Sequence, residues 1–384
     1  MKKISFLLAA VFMLSGCKSH KSNGESSDFL TIDCTKYDGN TVLPFDSIFE
    51  FDEYILLETN DSSMISRCYK IHFNGDRIYI NDGSKRILVF NADGTFCREY
   101  KHLGEGPGEY ARLYDFDIYD GKLHLLDGMK GMIYVYSLDD ELLETIEVPK
   151  CNGFKILPDG VALNVGLGYA DGSSDKPYSY KFKPARGGDM VEAVPFNRHL
   201  CGHSYTFSTG GNNFFEYGNK IFTYFPLNDT IYTVNPQNGE LAPYAKINLG
   251  DRSVALDADK ATADAILDGN MPKNIHAFYN WGDTLMFSYT SENALPIMVI
   301  ADKTGVLHQG VMRLDKNGMP VSEYAYDTSD KNQRFFLSIL QAPNAKVLAE
   351  YDKAPGEHSV LHEIASQITE EDNPVLVKYN LRNQ

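Results

Sequence analysis

The chain is short of positive charge: 36 Lys and Arg stand against 52 Asp and Glu in 384 residues, for a formal net charge of −16. Neutralising phosphates takes a basic face, so this balance argues against nucleic acid as a partner; the acidity itself serves solubility. Long apolar runs are equally scarce, and after Ile4–Met13 no stretch is long and apolar enough to cross a bilayer as a helix. Cysteine is sparse. Besides Cys17 there are Cys34, Cys68, Cys97, Cys151 and Cys201, an odd number without metal-type spacing, which reads as buried free thiols and not as a disulfide framework. No G-x-S-x-G elbow and no Cys/His nucleophile pairing occurs. His358 and His362 have helical spacing, but Glu363 follows the second histidine, so the zinc-hydrolase order fails and a solvated helix is expected.

What is plentiful is Tyr and Phe, 24 and 22 residues, the aromatic bias of pleated, half-buried strands. From about residue 68 to residue 314 one pattern recurs five times: strand, tight Gly/Asp/Asn turn, strand, loop, strand, tight turn, strand. In the first copy Cys68–Phe73 turns at Asn74-Gly75-Asp76 into Arg77–Ile80, and Ile87–Phe90 turns at Asn91–Gly94 into Thr95–Tyr100. The second repeats it around Asp120-Gly121 and Asp139-Asp140, and three more follow. A four-stranded sheet this small cannot bury both faces alone, so copies of it stack radially: the fold class is an all-β propeller. The tail supplies Val321–Tyr326, Arg334–Leu340 and Pro374–Tyr379, one blade lacking its outermost strand, while Phe51–Leu57 is a strand lacking a blade. Pairing the two gives a sixth blade and closes the ring, removing an edge open to aggregation.

Lys2-Lys3, the apolar run and Leu14-Ser-Gly-Cys17 form a short secretory leader. Its ending resembles the lipobox of bacterial lipoproteins, which implies cleavage before an acylated Cys17 and durable anchoring by several acyl chains. The expected organisation is a leader over residues 1–16, a lipidated tether over 17–31 that is polar from Lys18 to Ser27, and a propeller over 32–384.

Tyr54–Asp61, the loop Gly104-Glu-Gly-Pro-Gly-Glu-Tyr110 and the ending Asp372–Tyr379 resemble the six-bladed β-propeller lipoproteins of Gram-negative gut anaerobes, whose repeats are similar to NHL repeats. The resemblance runs from about Ile32 to the end, implies fold and anchoring, and brings no catalytic signature. Some relatives carry an acidic export tag after the lipid cysteine; Lys18-Ser-His-Lys21 is not acidic, so a periplasm-facing outer-membrane lipoprotein is expected over a surface-exposed one.

Turns inside the blades are tight, whereas the long insertions Leu103–Tyr114, Gly166–Pro177, Asn197–Asn213, Asp251–Asn274, Asp315–Val321 and Ala342–Asn373 all fall on the opposite rim, the last with a helical stretch at Ser359–Thr369. Loops on a rigid ring are where binding residues gather. Arg198, His199, His203 and Tyr205 form the densest polar-aromatic group there and are the candidate binding residues, with surface decoration as the plainer account. Glu109, Asp115 and Asp117, at the start of a channel-lining strand, are the candidate cation or channel-mouth residues, with strand-edge solvation as the competing account. Gly104–Glu109 reads as a rigid inter-blade turn, since two glutamates would repel a phosphate. No catalytic residue is assigned. The expectation is a lipid-anchored envelope module binding a glycan, a peptide or another envelope protein, with no cofactor required. The alternative is a lactonase-like or polysaccharide-acting hydrolase or lyase using a divalent cation at the channel mouth.

Overall fold

The structure is a computed structural model that describes residues 30–382 apart from 37–39, 84, 167–168, 170–176, 202–212, 226, 251–258, 263–274, 291–295, 324–325 and 333–334. Three elements precede the repeats: β1 (Leu30–Asp33), α1 (Phe45–Ile48) and β2 (Phe49–Leu56). Blade one is β3 (Cys68–Asn74), β4 (Arg77–Asp82), β5 (Arg86–Asn91) and β6 (Phe96–Tyr100). Blade two is β7 (Asp115–Tyr119), β8 (Lys122–Asp127), β9 (Met132–Ser137) and β10 (Leu142–Glu147). Blade three is β11 (Gly153–Leu157), β12 (Gly160–Asn164), β13 (Tyr178–Pro184) and β14 (Val191–Pro195). Blade four is β15 (Phe214–Tyr217), β16 (Lys220–Thr223), β17 (Thr230–Val234) and β18 (Leu241–Asn248); blade five is β19 (Ile275–Trp281), β20 (Thr284–Thr290), β21 (Pro296–Asp302) and β22 (Gly305–Val311). The tail holds β23 (Tyr326–Thr328), β24 (Phe335–Leu340), α2 (Ala342–Tyr351), α3 (Ser359–Gln367) and β25 (Val375–Leu381).

This is a six-bladed propeller of antiparallel four-stranded blades. Alternation along the strands drives it: the middle strands β5 and β9 are buried at four successive positions because both faces meet neighbouring blades. The expected closing strand is present. Residues Phe49–Leu56 pair antiparallel with β25, from Phe49 opposite Leu381 to Leu56 opposite Val375. Phe45, Phe49, Phe336 and Tyr379 fill the wedge beneath this seam, with ring centroids 4.9–6.1 Å apart. Gly94, in a turn of blade one, lies so close that a Cβ there would stand 2.0 Å from the Leu56 carbonyl oxygen, and its own carbonyl accepts from the Glu58 N–H at 2.8 Å.

Three details differ from the sequence reading. The innermost strand of the last blade is not Val321–Tyr326 but Tyr326–Thr328, and it pairs in parallel with β3 of blade one instead of joining β24. Tyr326 still ties it to the last blade, its hydroxyl donating to the Phe335 carbonyl at 2.7 Å. β1 adds in parallel to β18 as a fifth strand on blade four and starts at Leu30, just ahead of the boundary expected at residue 32. The insertion 342–373 holds two helices, not one; α2 begins with Ala342-Pro343, proline being suited to a first helical turn. Of the five cysteines after Cys17 none forms a disulfide, and Cys34 and Cys151 are buried, Cys68 and Cys201 half-buried and Cys97 exposed.

Because β2 covers the edge of β25, deleting residues 1–57 should leave that edge bare and yield aggregated protein, whereas deleting residues 18–27 should move the Tm by only a few degrees. Size-exclusion chromatography and thermal melts of the two deletions check this; equal stability of both would show that β2 does not close the ring.

Candidate functional site

The innermost strands decide what the axis can do. Aligned on the first tight turn of each blade, the hairpin registers set Lys70, Asp115 and Gly153 at one level, and His72, Asp117 and Lys155 at the level below. Asp115 Oδ1 accepts from Lys70 Nζ at 2.9 Å and from the Phe116 N–H at 2.8 Å, while Oδ2 accepts from the Phe154 N–H of the next blade at 3.1 Å. Gly153 makes this reach possible, since a Cβ there would stand 3.2 Å from Oδ2. Asp117 repeats the device, taking Lys155 Nζ at 2.9 Å and the Ile156 N–H at 3.0 Å. Lys155 Nζ also lies 3.3 Å from Asp327 Oδ2, which His72 Nδ1 approaches at 3.5 Å.

All of these groups are buried. Burial pushes the Asp115 carboxyl up to about 6, against the pull of the Lys70 ammonium. At Asp327 burial acts the same way, but Lys155 and then His72 outweigh it and hold the carboxyl well below its ordinary range. Lys155 is raised: burial opposes its charge, and Asp117 followed by Asp327 overcome that. On the other side of the axis the lining is aromatic, with Phe215, Tyr279 and Tyr326 in sequence at 4.9 and 5.6 Å and Phe335 stacked on Tyr326 at 4.0 Å.

His72, Asp117 and Asp327 present ligand atoms within 4.8 Å of one another, the geometry of a cation site. The Lys155 ammonium already lies between the two carboxylates, so a divalent ion would have to displace it. The trio expected from sequence is not brought together. Asp115 and Asp117 face blade three, whereas Glu109 stays in the turn before β7, where its Oε2 accepts from the Gly106 N–H at 2.8 Å. The sequence reading also missed Lys70, His72, Lys155 and Asp327, because their partners lie on separate blades and no spacing within one repeat links them.

The long connections gather on one rim, where the structure places the other candidates. Arg198 and His199 sit in a single 3-10 turn, Arg198–Leu200, capped by Asn197 Oδ1, which accepts from the His199 N–H at 2.9 Å. His199 also lies near Asp259 of the following connection and helps to lower its carboxyl, after the Thr262 N–H and hydroxyl. His203 and Tyr205 lie outside the described residues, as does Cys17. His358 and His362 are held by one carboxylate, Asp352, at 2.8 and 2.9 Å, which suits a structural clasp at the start of α3.

On the same rim, at the seam between blades six and one, a cavity of about 430 Å³ opens between the 65–68 segment and the start of α2. Ile65, Cys68 and Ile339 form its floor and Arg67, Gln341 and Asn344 line its mouth. Asp82 fixes one wall, its Oδ1 accepting from the Ser66 N–H and hydroxyl at 2.7 Å each and from the Arg67 N–H at 3.0 Å. Asn373 fixes the other end, accepting from the Ile65 N–H at 2.7 Å and donating to the Glu58 and Ser63 carbonyls at 2.8 and 3.0 Å.

The fold is thus a six-bladed propeller with a cavity at the seam between blades six and one. The chain belongs to the family described as a domain of unknown function, DUF4934, whose model matches residues 29–380. Among solved structures it is similar to a protein described as exported from Bacteroides fragilis NCTC 9343, with TM-score 0.67 and 17% identity over 92% of this chain and 100% of that one. It is also similar to a DUF4221-family protein of Bacteroides vulgatus, with TM-score 0.52 and 8% identity over 88% and 98%. At these identities the likeness is one of fold. No curated protein matches the chain.

Replacing Lys70 by Met leaves the Asp115 carboxylate buried without its ammonium and should cost about 3–5 kcal/mol in denaturant unfolding. The pH dependence gives an independent check. Asp115 is raised above its unfolded value, so the folded state holds the extra proton; the associated stability is present below the unfolded pKa and is lost as pH rises through about 6. Without Lys70 that loss should extend to higher pH, and an unchanged pH range would show that Lys70 does not compensate Asp115.

Proposed function

We propose that the protein is a lipid-anchored envelope module that captures a partner on its long-connection rim. The observation that carries this reading is the division of labour around the ring: Lys70–Asp115 and Lys155–Asp117 pairs and stacked rings occupy the axis, and the chain connects successive hairpins on the rim opposite the tight turns. The channel carboxylates are committed to lysines and backbone N–H groups, which weighs against the metal-dependent hydrolase or lyase alternative. Attachment fits the same picture. β1 runs parallel to β18, so the chain reaches Leu30 from the side of the tight β17–β18 turn. A tether arriving there leaves the opposite rim open towards the compartment, with Cys17 carrying the lipid.

Two tests follow from this reading. Cys17→Ser should release the protein into a soluble compartment, and retention in the membrane pellet after a carbonate wash would defeat the anchoring. Replacing Arg198, His199, His203 and Tyr205 together by Ala should abolish recovery of partners from native envelopes while the protein still melts cooperatively. A matched set on the tight-turn rim, Asn74, Asp76, Asp93 and Lys303, should leave recovery intact; the reverse outcome would place the binding face on the other side.

A further inference from the structure

The seam cavity between blades six and one has the composition of a ligand site, not of a packing defect. Its volume of about 430 Å³ is that of small-molecule pockets, and apolar floor and polar mouth are segregated. The Arg67 guanidinium pairs with no carboxylate among the described residues and lies over the Tyr69 ring at 5.0 Å, which holds it in place and leaves its N–H fork unused. The side-chain amides of Gln341 and Asn344 likewise have no hydrogen-bond partner among the described residues, so each offers a donor and an acceptor at the opening. The wall beside them is fixed in advance by Asp82 and Asn373, so little ordering remains to be done when something binds. Among the lining residues the Cys68 thiol is pushed up to about 12 by burial and then by Asp82, so it stays protonated near neutral pH.

From this arrangement we infer that the cavity binds a short peptide through its free carboxylate. The guanidinium matches a carboxylate in bidentate fashion, the two carboxamides match the N–H and C=O of an adjoining peptide unit, and Ile65 and Ile339 receive an apolar side chain. No aromatic ring is among the lining residues, so the stacking platform that a sugar ring would use is missing. The inference deepens the proposed capture function by naming a ligand class for one part of the rim, and it rests on that reading only in placing the site on the exposed face.

The test uses the full chain in detergent micelles with two probes, a mixed tripeptide library with free C-terminal carboxylates and the same library amidated, read by hydrogen exchange at residues 65–68 and 341–348. The carboxylate library should protect both segments, and the amidated library should bind at least about ten-fold more weakly, the value of one charge-assisted pair. Arg67→Gln should reduce binding of the carboxylate library to the amidated level, and Arg67→Lys should recover part of it. Equal protection by both libraries, protection elsewhere only, or protection by galacturonic acid trimers in place of peptides would overturn the inference. Peptide binding that persists while the Arg198 set loses partner capture separates this site from the wider rim reading, and the opposite pattern defeats the cavity alone.

Discussion

The ring stands on one strand pairing made between the two ends of the chain. Glu53 and Lys378, joined at 2.8 Å across β2 and β25, are 325 residues apart in sequence. Until that contact forms, blade six has an uncovered edge and blade one has no neighbour on one side. Closing so long a loop costs entropy that no local contact repays, so a ladder from Phe49 to Leu56 is reinforced by an aromatic wedge of Phe45, Phe49, Phe336 and Tyr379. The main core runs through this seam, taking in residues from Ile32 to Tyr379, while three smaller clusters fill the junctions from blade one to blade four. The molecule is thus held by its ends, and the repeats depend on them.

Inside the ring, the polar half of the axis does something that apolar packing could not. Asp115 and Asp117 each divide their two oxygens between an ammonium and a backbone N–H of β11. A shift of one residue between blades two and three would turn both carboxylates away from the β11 N–H groups and Asp117 away from Lys155, leaving that pair of charges buried apart. Ion pairs of this kind add little net stability compared with hydrocarbon, but they specify register sharply. Blades four to six solve the same problem with shape, through Phe215, Tyr279 and Tyr326, where ring geometry sets the spacing.

Much of this was legible in the chain. Gly75, Gly121, Gly218 and Gly282 adopt positive φ at the first turns of their blades, and it is this demand that made the repeat visible as punctuation between alternating strands. The closing strand could be read because Phe51–Leu57 is a strand-like aromatic and aliphatic segment that had nothing local to pair with. By contrast β1 is four residues long, and its parallel pairing involves no turn that would announce it. The two lysines of the axis were invisible for another reason. Lys70 and Asp115 are 45 residues apart, and Lys155 and Asp117 38 apart, so each pair becomes a pair only through the register of separate blades. Glu109 was grouped with the aspartates by proximity in sequence, yet it belongs to the turn and not to the strand.

The seam also explains why a cavity should sit there. Five blade junctions join consecutive repeats, whose connections can be tuned one by one; the sixth must bring together the 58–67 connection, the α2 start and the segment before β25. Asn373 knits two of these, bonding to Glu58, Ser63 and Ile65 and donating its own N–H to Thr59 Oγ1 at 2.8 Å. Two of the segments that carry the family resemblance, Tyr54–Asp61 and Asp372–Tyr379, therefore meet at the wall of the cavity. Because the cavity has walls from both ends of the chain, it exists only in the closed ring. Anything that occupies it favours closure by RT ln(1 + [L]/Kd), about 2.7 kcal/mol at a hundred-fold excess over Kd. Recognition at this rim and integrity of the ring are in that sense one equilibrium.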